Sequence, residues 1–158
     1  MGDQMVNPDT KFRAAEVAQI LNLTSGRVAK LGNVVRPVTV PMGSGHRAEY
    51  RFRDIVEVAM ANEMATFGVP SRRTAQYLDQ FSRSRAQVDW FAPENDRVWA
   101  ILGSGQDWAI GMSLDAMWGL LGDGVRQWSA IVIDVGRIKL TIQQGIEQLN
   151  ETETEKEH

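Results

Sequence analysis

The chain has no cysteine and only two histidines, His46 and His158, among its 158 residues. Without thiols it can form neither a disulfide nor a thiolate metal site, and two histidines are too few for the usual imidazole-rich zinc centre. The sequence therefore predicts no metal and no cofactor. A reducing, cytoplasmic location is the simplest expectation for a chain with this composition.

Long apolar runs are also missing, since no stretch approaches the roughly 20 residues that a membrane helix needs. The N-terminal segment MGDQMVNPD has neither the basic nor the apolar region of a secretory signal. No nucleophile–base pair stands out, and the glycine turns at 103–105 and 122–124 lack the lysine of a phosphate-binding loop. We therefore expect a protein that is neither a membrane protein nor an enzyme.

Charge is unevenly distributed along the chain. Residues 1–85 hold 12 Lys and Arg against 8 Asp and Glu, whereas residues 86–158 hold 5 against 12. A basic first half beside an acidic second half is typical of a nucleic-acid-binding domain joined to another domain, although chance scatter is the alternative. We predict a DNA-binding domain over 1–85, a small α+β domain over 86–150 and a disordered polar tail, ETETEKEH, over 151–158.

The first half begins with two helices joined by a short turn. An apolar stripe at helical spacing marks the first helix, at Ala14, Val17, Ala18 and Leu21. Thr24 is a suitable N-cap for the second helix, and Gly32 is expected to end it. Two helices with so short a turn predict a helix-turn-helix, whose second helix can enter a DNA major groove.

A wing and two more helices are expected next. A strand at 38–40, a flexible turn at 41–45 and a strand at 47–50 form the predicted wing. Helix three should run from about Phe52 to Phe67, where Gly68 ends it, and helix four should follow from a Ser71 cap to about residue 81. The predicted buried face of helix three consists of Val56, Met60, Met64 and Phe67.

The second half mixes strands and helices after a predicted linker at 82–97. A hairpin is expected from 98–102 and 108–112, then a helix at 113–121 and a buried strand at 129–133. Asp134 should cap a final helix ending near Leu149. Its apolar seam has two interpretations, a short coiled coil or packing on its own domain. The seam consists of Val135, Ile138, Ile142, Gly145 and Leu149.

Three segments in this order resemble the N-terminal DNA-binding domain of MerR-type transcription regulators. The family's first helix and turn follow E-V-A-x-x-L-x-[VL]-[ST], and residues 16–24 read EVAQILNLT. Its wing junction follows R-x-x-Y-[ST]-F-x-D-[LI]-V, and residues 47–56 read RAEYRFRDIV. A third segment, GVPSRRTA at 68–75, is similar to the family's G-[VF]-[ST] motif. The resemblance covers residues 12–81 and departs at Arg51, where a small hydroxyl residue usually caps helix three.

The resemblance implies a winged helix-turn-helix for the first half and a transcriptional regulator that binds double-stranded DNA. Together with the strands and helices of the second half, which does not resemble the family, the sequence predicts a mainly α fold, a winged helix-turn-helix followed by a small α+β domain. We expect a homodimer, because one short recognition helix reads too few base pairs and paired half-sites supply the rest. Cations on the second helix, the predicted recognition helix, can contact base edges and phosphates. Residues of the wing can contact the flanking phosphates. Arginines at the start of helix four oppose the helix dipole unless an anion, such as a phosphate, lies nearby. A solvated surface is the alternative for each. The candidate DNA-binding residues are Thr24, Ser25, Arg27, Lys30, His46, Arg47, Tyr50, Arg51, Arg72 and Arg73.

All five tryptophans lie in the second half and have two interpretations. They can line a pocket for a small organic effector, or they can build the core of a domain of about 60 residues. They are Trp90, Trp99, Trp108, Trp118 and Trp128. The role of this half leaves one alternative for the whole protein, which is a phage or bacterial adaptor or architectural protein whose second half docks another protein.

Overall fold

The computed structural model describes residues 6–7, 9–35, 48–83, 97–102, 108–113, 115 and 130–156. Within these ranges the protein is mainly helical, as predicted, with two small antiparallel sheets. The elements in chain order are β1 Phe12–Arg13, α1 Ala14–Ile20, α2 Ser25–Val35, β2 Glu49–Tyr50, α3 Phe52–Thr66, α4 Ser71–Arg83, β3 Arg97–Leu102, β4 Trp108–Ser113, β5 Ala130–Asp134 and α5 Val135–Lys156.

Helices α1 and α2 are joined by a four-residue turn. Asn22 takes the left-handed conformation in this turn, with a φ of 52°, which its short polar side chain tolerates. Thr24 caps α2 as predicted, because its Oγ1 accepts a hydrogen bond of 3.2 Å from the backbone N–H of Arg27. The apolar faces of the two helices meet in the core, where Val17 and Val28 are fully buried.

The prediction that Gly32 ends α2 is wrong, because the helix continues to Val35. Gly32 is buried, and a Cβ atom built on it would lie well inside van der Waals contact of Tyr50 Oη and 3.3 Å from Tyr50 Cζ. The glycine therefore allows the Tyr50 ring to pack against the helix backbone. The same burial raises the pKa of the Tyr50 phenol above its usual value, and the nearby Asp54 carboxylate adds to the shift.

Substituting Gly32 by alanine should lower the free energy of unfolding by about 1–2 kcal/mol. Overpacking of a core costs roughly 1–3 kcal/mol, and the better helix propensity of alanine returns up to about 1 kcal/mol. Urea denaturation measures the change. In a Tyr50→Phe background the loss should shrink, since the variant lacks the clashing oxygen. Equal losses in both backgrounds would show that the Tyr50 hydroxyl is not the obstacle.

The strand at Glu49–Tyr50 has a partner that the sequence did not suggest. It pairs antiparallel with β1, with Phe12 opposite Tyr50 and Arg13 opposite Glu49. An ion pair of 2.9 Å between Lys11 Nζ and Glu49 Oε2 lies beside this ladder. The predicted first strand of the wing at 38–40 and the turn at 41–45 lie outside the described residues.

Helix α3 begins at Phe52 as predicted and ends one residue early, at Thr66. Three of its predicted core residues, Val56, Met60 and Met64, are fully buried. The prediction for Phe67 is wrong, because this residue lies in the turn after the helix and is 60% exposed. Gly68 then has a φ of 78°, the left-handed conformation that commonly terminates helices.

The sequence suggested a poorly capped start for α3, because Arg51 occupies the cap position. The structure nevertheless gives the backbone N–H at this position a side-chain acceptor. The Asp54 carboxylate accepts a hydrogen bond of 2.8 Å from the backbone N–H of Arg51, the acidic half of a capping box. Asp54 is only 2% exposed, and burial raises its pKa. The cap hydrogen bond and the nearby Arg53 guanidinium oppose that rise without cancelling it.

The raised pKa of Asp54 predicts a stability that decreases as pH rises. Between its ordinary pKa of 3.8 and its higher folded-state pKa, the folded chain binds more protons than the unfolded chain. The stabilisation is therefore complete below the ordinary pKa and is lost as pH rises through the folded-state value. We expect the unfolding free energy of wild type, minus that of Asp54→Asn, to fall across this window in urea titrations. A pH-independent difference would contradict the assignment.

Helix α4 differs from its prediction at both ends. Ser71 is its first residue rather than its cap, and the backbone N–H of Thr74 donates to the Pro70 carbonyl at 2.9 Å. The helix continues to Arg83, so the first two residues of the predicted linker at 82–97 are helical. An ion pair of 2.6 Å between Arg83 and Asp79 spans its last turn.

The second half contains a three-stranded antiparallel sheet in the order β4-β3-β5. The predicted hairpin is confirmed, with Arg97 opposite Ser113 at one end of β3 and Leu102 opposite Trp108 at the other. The predicted buried strand at 129–133 corresponds to β5. Most of the helix expected at 113–121 lies outside the described residues.

Helix α5 packs on α1 and α3, so its apolar face is covered within the chain. Asp134 caps it as predicted, because its Oδ1 accepts a hydrogen bond of 2.8 Å from the backbone N–H of Arg137. Ile142 and Ile146 belong to the same apolar core as α1 and α3. The helix ends at Lys156 rather than near Leu149, so most of the tail predicted to be disordered is helical.

Candidate nucleic-acid interface

Helix α2 has one edge in the core and one edge in solvent. Val28 and Leu31 are buried, whereas Lys30 is exposed on the opposite edge, as its helical spacing predicted. Ser25, the first residue of the helix, is exposed as well. The other exposed residues on this helix are small or polar, namely Gly26, Ala29 and Asn33. Helix α5 packs on α1 and α3 rather than on this edge. The exposed edge of α2 is therefore open to a macromolecular partner, as far as the described residues are concerned.

Arg27 is oriented by a residue that the sequence did not single out. Its guanidinium Nε donates a hydrogen bond of 3.1 Å to the Oδ1 of Asn62 on α3. A guanidinium has five N–H groups, so this bond fixes the direction of the side chain while using only one of them. The half-buried Arg27 is thus held in the first turn of α2, on the same side of the helix as the exposed Lys30.

The candidate residues at the start of α2 and of α4 differ in exposure and in hydrogen bonding. The Thr24 hydroxyl oxygen serves as the helix cap, and its O–H remains available as a donor. Arg72 is exposed and Arg73 is half-buried, both in the first turn of α4. Cations in that position oppose the helix dipole unless an anion lies nearby.

The wing candidates fall into two groups. His46 and Arg47 lie outside the described residues. The Tyr50 ring is 1% exposed and packs in the core, so we leave it out of the interface. Arg51 is half-buried, and its Nε atom is buried without a hydrogen-bond partner.

The predicted tryptophan pocket depends on side chains outside the described residues. Trp99 on β3 pairs with Gly111 and Ile133 on the neighbouring strands, and Trp108 begins β4. The side chains of both, and all of Trp90, Trp118 and Trp128, lie outside the described residues. The tryptophan pocket therefore stays a prediction.

An apolar cavity of about 390 Å³ lies elsewhere, and sequence reasoning missed it. It is bordered by the α1–α2 turn, α3, β5 and the start of α5, and it is open to solvent on one side. Its lining residues are Leu21, Leu23, Ala59, Asn62, Glu63, Phe67, Val132, Ile133, Asp134, Arg137, Ile138 and Thr141. The one signal in the sequence was the pair of leucines flanking Asn22 in an otherwise polar turn.

The described residues contain no group of three or more His, Asp or Glu residues arranged to hold a metal ion. None of the helices described there combines the length and the apolar character that crossing a bilayer requires.

Comparison with known proteins adds no relative. Neither a scan against protein-family models nor a search of curated proteins finds a match for this chain. The similarity to MerR-type regulators therefore depends on the three sequence segments alone.

Proposed function

We propose that the protein is a DNA-binding transcriptional regulator of MerR-like type that inserts α2 into the major groove. The observation that carries this proposal is the solvent-facing edge of α2, where Lys30 is exposed and Arg27, one turn earlier, is held in place by Asn62. The opposite edge is anchored in the core by Val28 and Leu31, so the exposed edge is presented rigidly. Groove readers need such an edge because base edges are recognised by short, directional hydrogen bonds.

The dimensions and chemistry of α2 suit this role. Its 11 residues span about 16 Å, and helices of this width fit the B-DNA major groove. Arginine pairs with guanine edges through two parallel hydrogen bonds, and lysine contacts phosphates or guanine. We assign base reading to Arg27 and phosphate contact to Lys30.

The start of α4 adds a second contact. Arg72 is exposed in the first turn of α4, where the helix dipole favours an anion close by. A DNA phosphate supplies that anion. Contacts of this type position a protein on the duplex without reading its sequence.

The active species is expected to be a homodimer. A single helix of this length contacts only a few base pairs, too few for useful specificity. Two copies related by a two-fold axis read paired half-sites one helical turn apart, about 34 Å. The two copies of Arg27 in the dimer should therefore be separated by about that distance.

Binding to duplex DNA should depend steeply on salt. The full chain should bind a random-sequence duplex at micromolar concentration in low salt, because Lys and Arg contacts to phosphates release condensed counterions. Fluorescence anisotropy of a labelled duplex at several salt concentrations measures the effect. An anisotropy that stays at its free value at micromolar protein and low salt would rule out the proposed function.

A further inference from the structure

The cavity beneath the helix-turn-helix has the features of a small-molecule site. Its volume of about 390 Å³ falls in the range of known ligand pockets, roughly 300–1,000 Å³. Leu21, Leu23, Val132 and Ile138 line it and are only partly buried, so they expose apolar surface to the cavity. A few polar groups interrupt that surface, as in most pockets that orient an organic ligand.

The charged groups of the cavity indicate which ligands it favours. Glu63 and Asp134 contribute two carboxylates against the single guanidinium of Arg137, so the lining is net negative. Glu63 lies in the last turn of α3, where the helix dipole also favours a cation. Asp134 already accepts the Arg137 backbone N–H, which leaves Glu63 as the better partner for a ligand ammonium group.

Phe67 supplies an aromatic face for the same cation. Its side chain is 60% exposed and lines the cavity, four residues after Glu63. An ammonium group placed over an aromatic face is attracted by the ring quadrupole, and a ligand ring gains by packing against Phe67. Burial of this ring by a ligand would also remove apolar surface from water.

Asn62 connects the cavity to the proposed recognition helix. It lines the cavity, and its side-chain oxygen accepts the hydrogen bond from Arg27 Nε at 3.1 Å. A ligand that contacts Asn62 competes with or tightens this bond. A ligand in the cavity is therefore one hydrogen bond away from Arg27 on α2.

We propose that this cavity binds a small aromatic amine, with its ring against the leucines of the α1–α2 turn and its ammonium group at Glu63. We further propose that the bound amine alters duplex affinity through the Asn62–Arg27 hydrogen bond. The second statement rests on the proposed DNA-binding function, whereas the first does not.

The binding step is tested without DNA by isothermal titration calorimetry of the full chain. The probes are 1-naphthylmethylamine, the neutral 1-naphthalenemethanol and the anionic 1-naphthoate, which share one ring system. We expect the amine to bind about fivefold more tightly than the alcohol, and the naphthoate to bind most weakly. Glu63→Gln should reduce amine affinity to that of the alcohol and leave the alcohol unchanged, since Glu63 is exposed and outside the core.

Ala59→Phe is the second variant, because the added ring fills the cavity and should abolish binding of amine and alcohol alike. Absence of amine binding to wild type, equal affinities for amine and naphthoate, or an unchanged amine affinity in Glu63→Gln would each overturn the assignment.

The coupling step is tested by duplex anisotropy with and without saturating amine. We expect at least a threefold change in duplex affinity for wild type and none for Asn62→Ala, which lacks the acceptor for Arg27. If the duplex affinity of the wild type were the same with and without saturating amine, the proposed coupling would be overturned. If the chain binds no duplex at all, the proposed function fails while the calorimetric result for the cavity stands.

Discussion

Gly145→Ala should lower the free energy of unfolding by about 2 kcal/mol or more. Gly145 lies where α5 crosses α1, and a Cβ atom there would be 2.8 Å from the Ile20 carbonyl oxygen and 3.0 Å from Ile20 Cα. Overpacking costs roughly 1–3 kcal/mol when side chains can adjust, and backbone atoms adjust less readily. We therefore expect a larger loss than for Gly32→Ala, where the obstacle is a side-chain oxygen. Urea denaturation of the full chain provides the measurement.

Gly26→Ala is the matched control, because it makes the same substitution in another helix. A Cβ atom at Gly26 meets nothing within 4 Å, so only helix propensity changes. Stability should rise by up to about 1 kcal/mol. If Gly145→Ala also stabilised the chain, that result would contradict the packing of α5 on α1. It would also contradict the core that α5 shares with α1 and α3.

Lys30→Glu should weaken duplex binding by about tenfold or more and reduce its salt dependence. Lys30 is exposed on the edge of α2, so the substitution should leave stability nearly unchanged. Loss of one phosphate contact lowers the slope of log affinity against log salt by about 1, and the new carboxylate repels the backbone. Anisotropy titrations at four or more salt concentrations measure both quantities.

Arg83→Glu is the matched control, since it changes net charge by the same amount at the far end of α4. Its side chain is 79% exposed and pairs only with Asp79 among the described residues. Exposed pairs of this kind contribute about 0–1 kcal/mol, so folding should persist. Similar losses of duplex affinity in both variants would mean that overall charge, and not the edge of α2, controls binding.

Local hydrogen bonding explains why several helix boundaries were predictable. Thr24 and Asp134 cap their helices with their own side chains, and Gly68 ends α3 in a backbone conformation that glycine favours. Each depends on residues within a few positions along the chain. The same is true of the exposed edge of α2, since helical periodicity alone places Lys30 opposite Val28.

Gly32 shows where local reasoning stops. Within its own segment it resembles a helix terminator, but in the fold it makes room for Tyr50 from a distant strand. Tyr50 itself resembled an exposed wing residue and is buried for the same reason. The pairing of β2 with β1, and the Arg27–Asn62 hydrogen bond across 35 positions, likewise join segments whose proximity no local pattern encodes.

The sequence by itself determined the helices of the first half, the Thr24 cap of α2 and the outward edge of that helix, because these follow from contacts within one or two turns. Only the tertiary structure decided that α5 covers α1 and α3 and that a cavity lies at the α1–α2 turn. Both depend on how distant apolar faces pack, and many arrangements of those faces bury similar areas. Close backbone approaches, such as Gly145 against Ile20, distinguish among them.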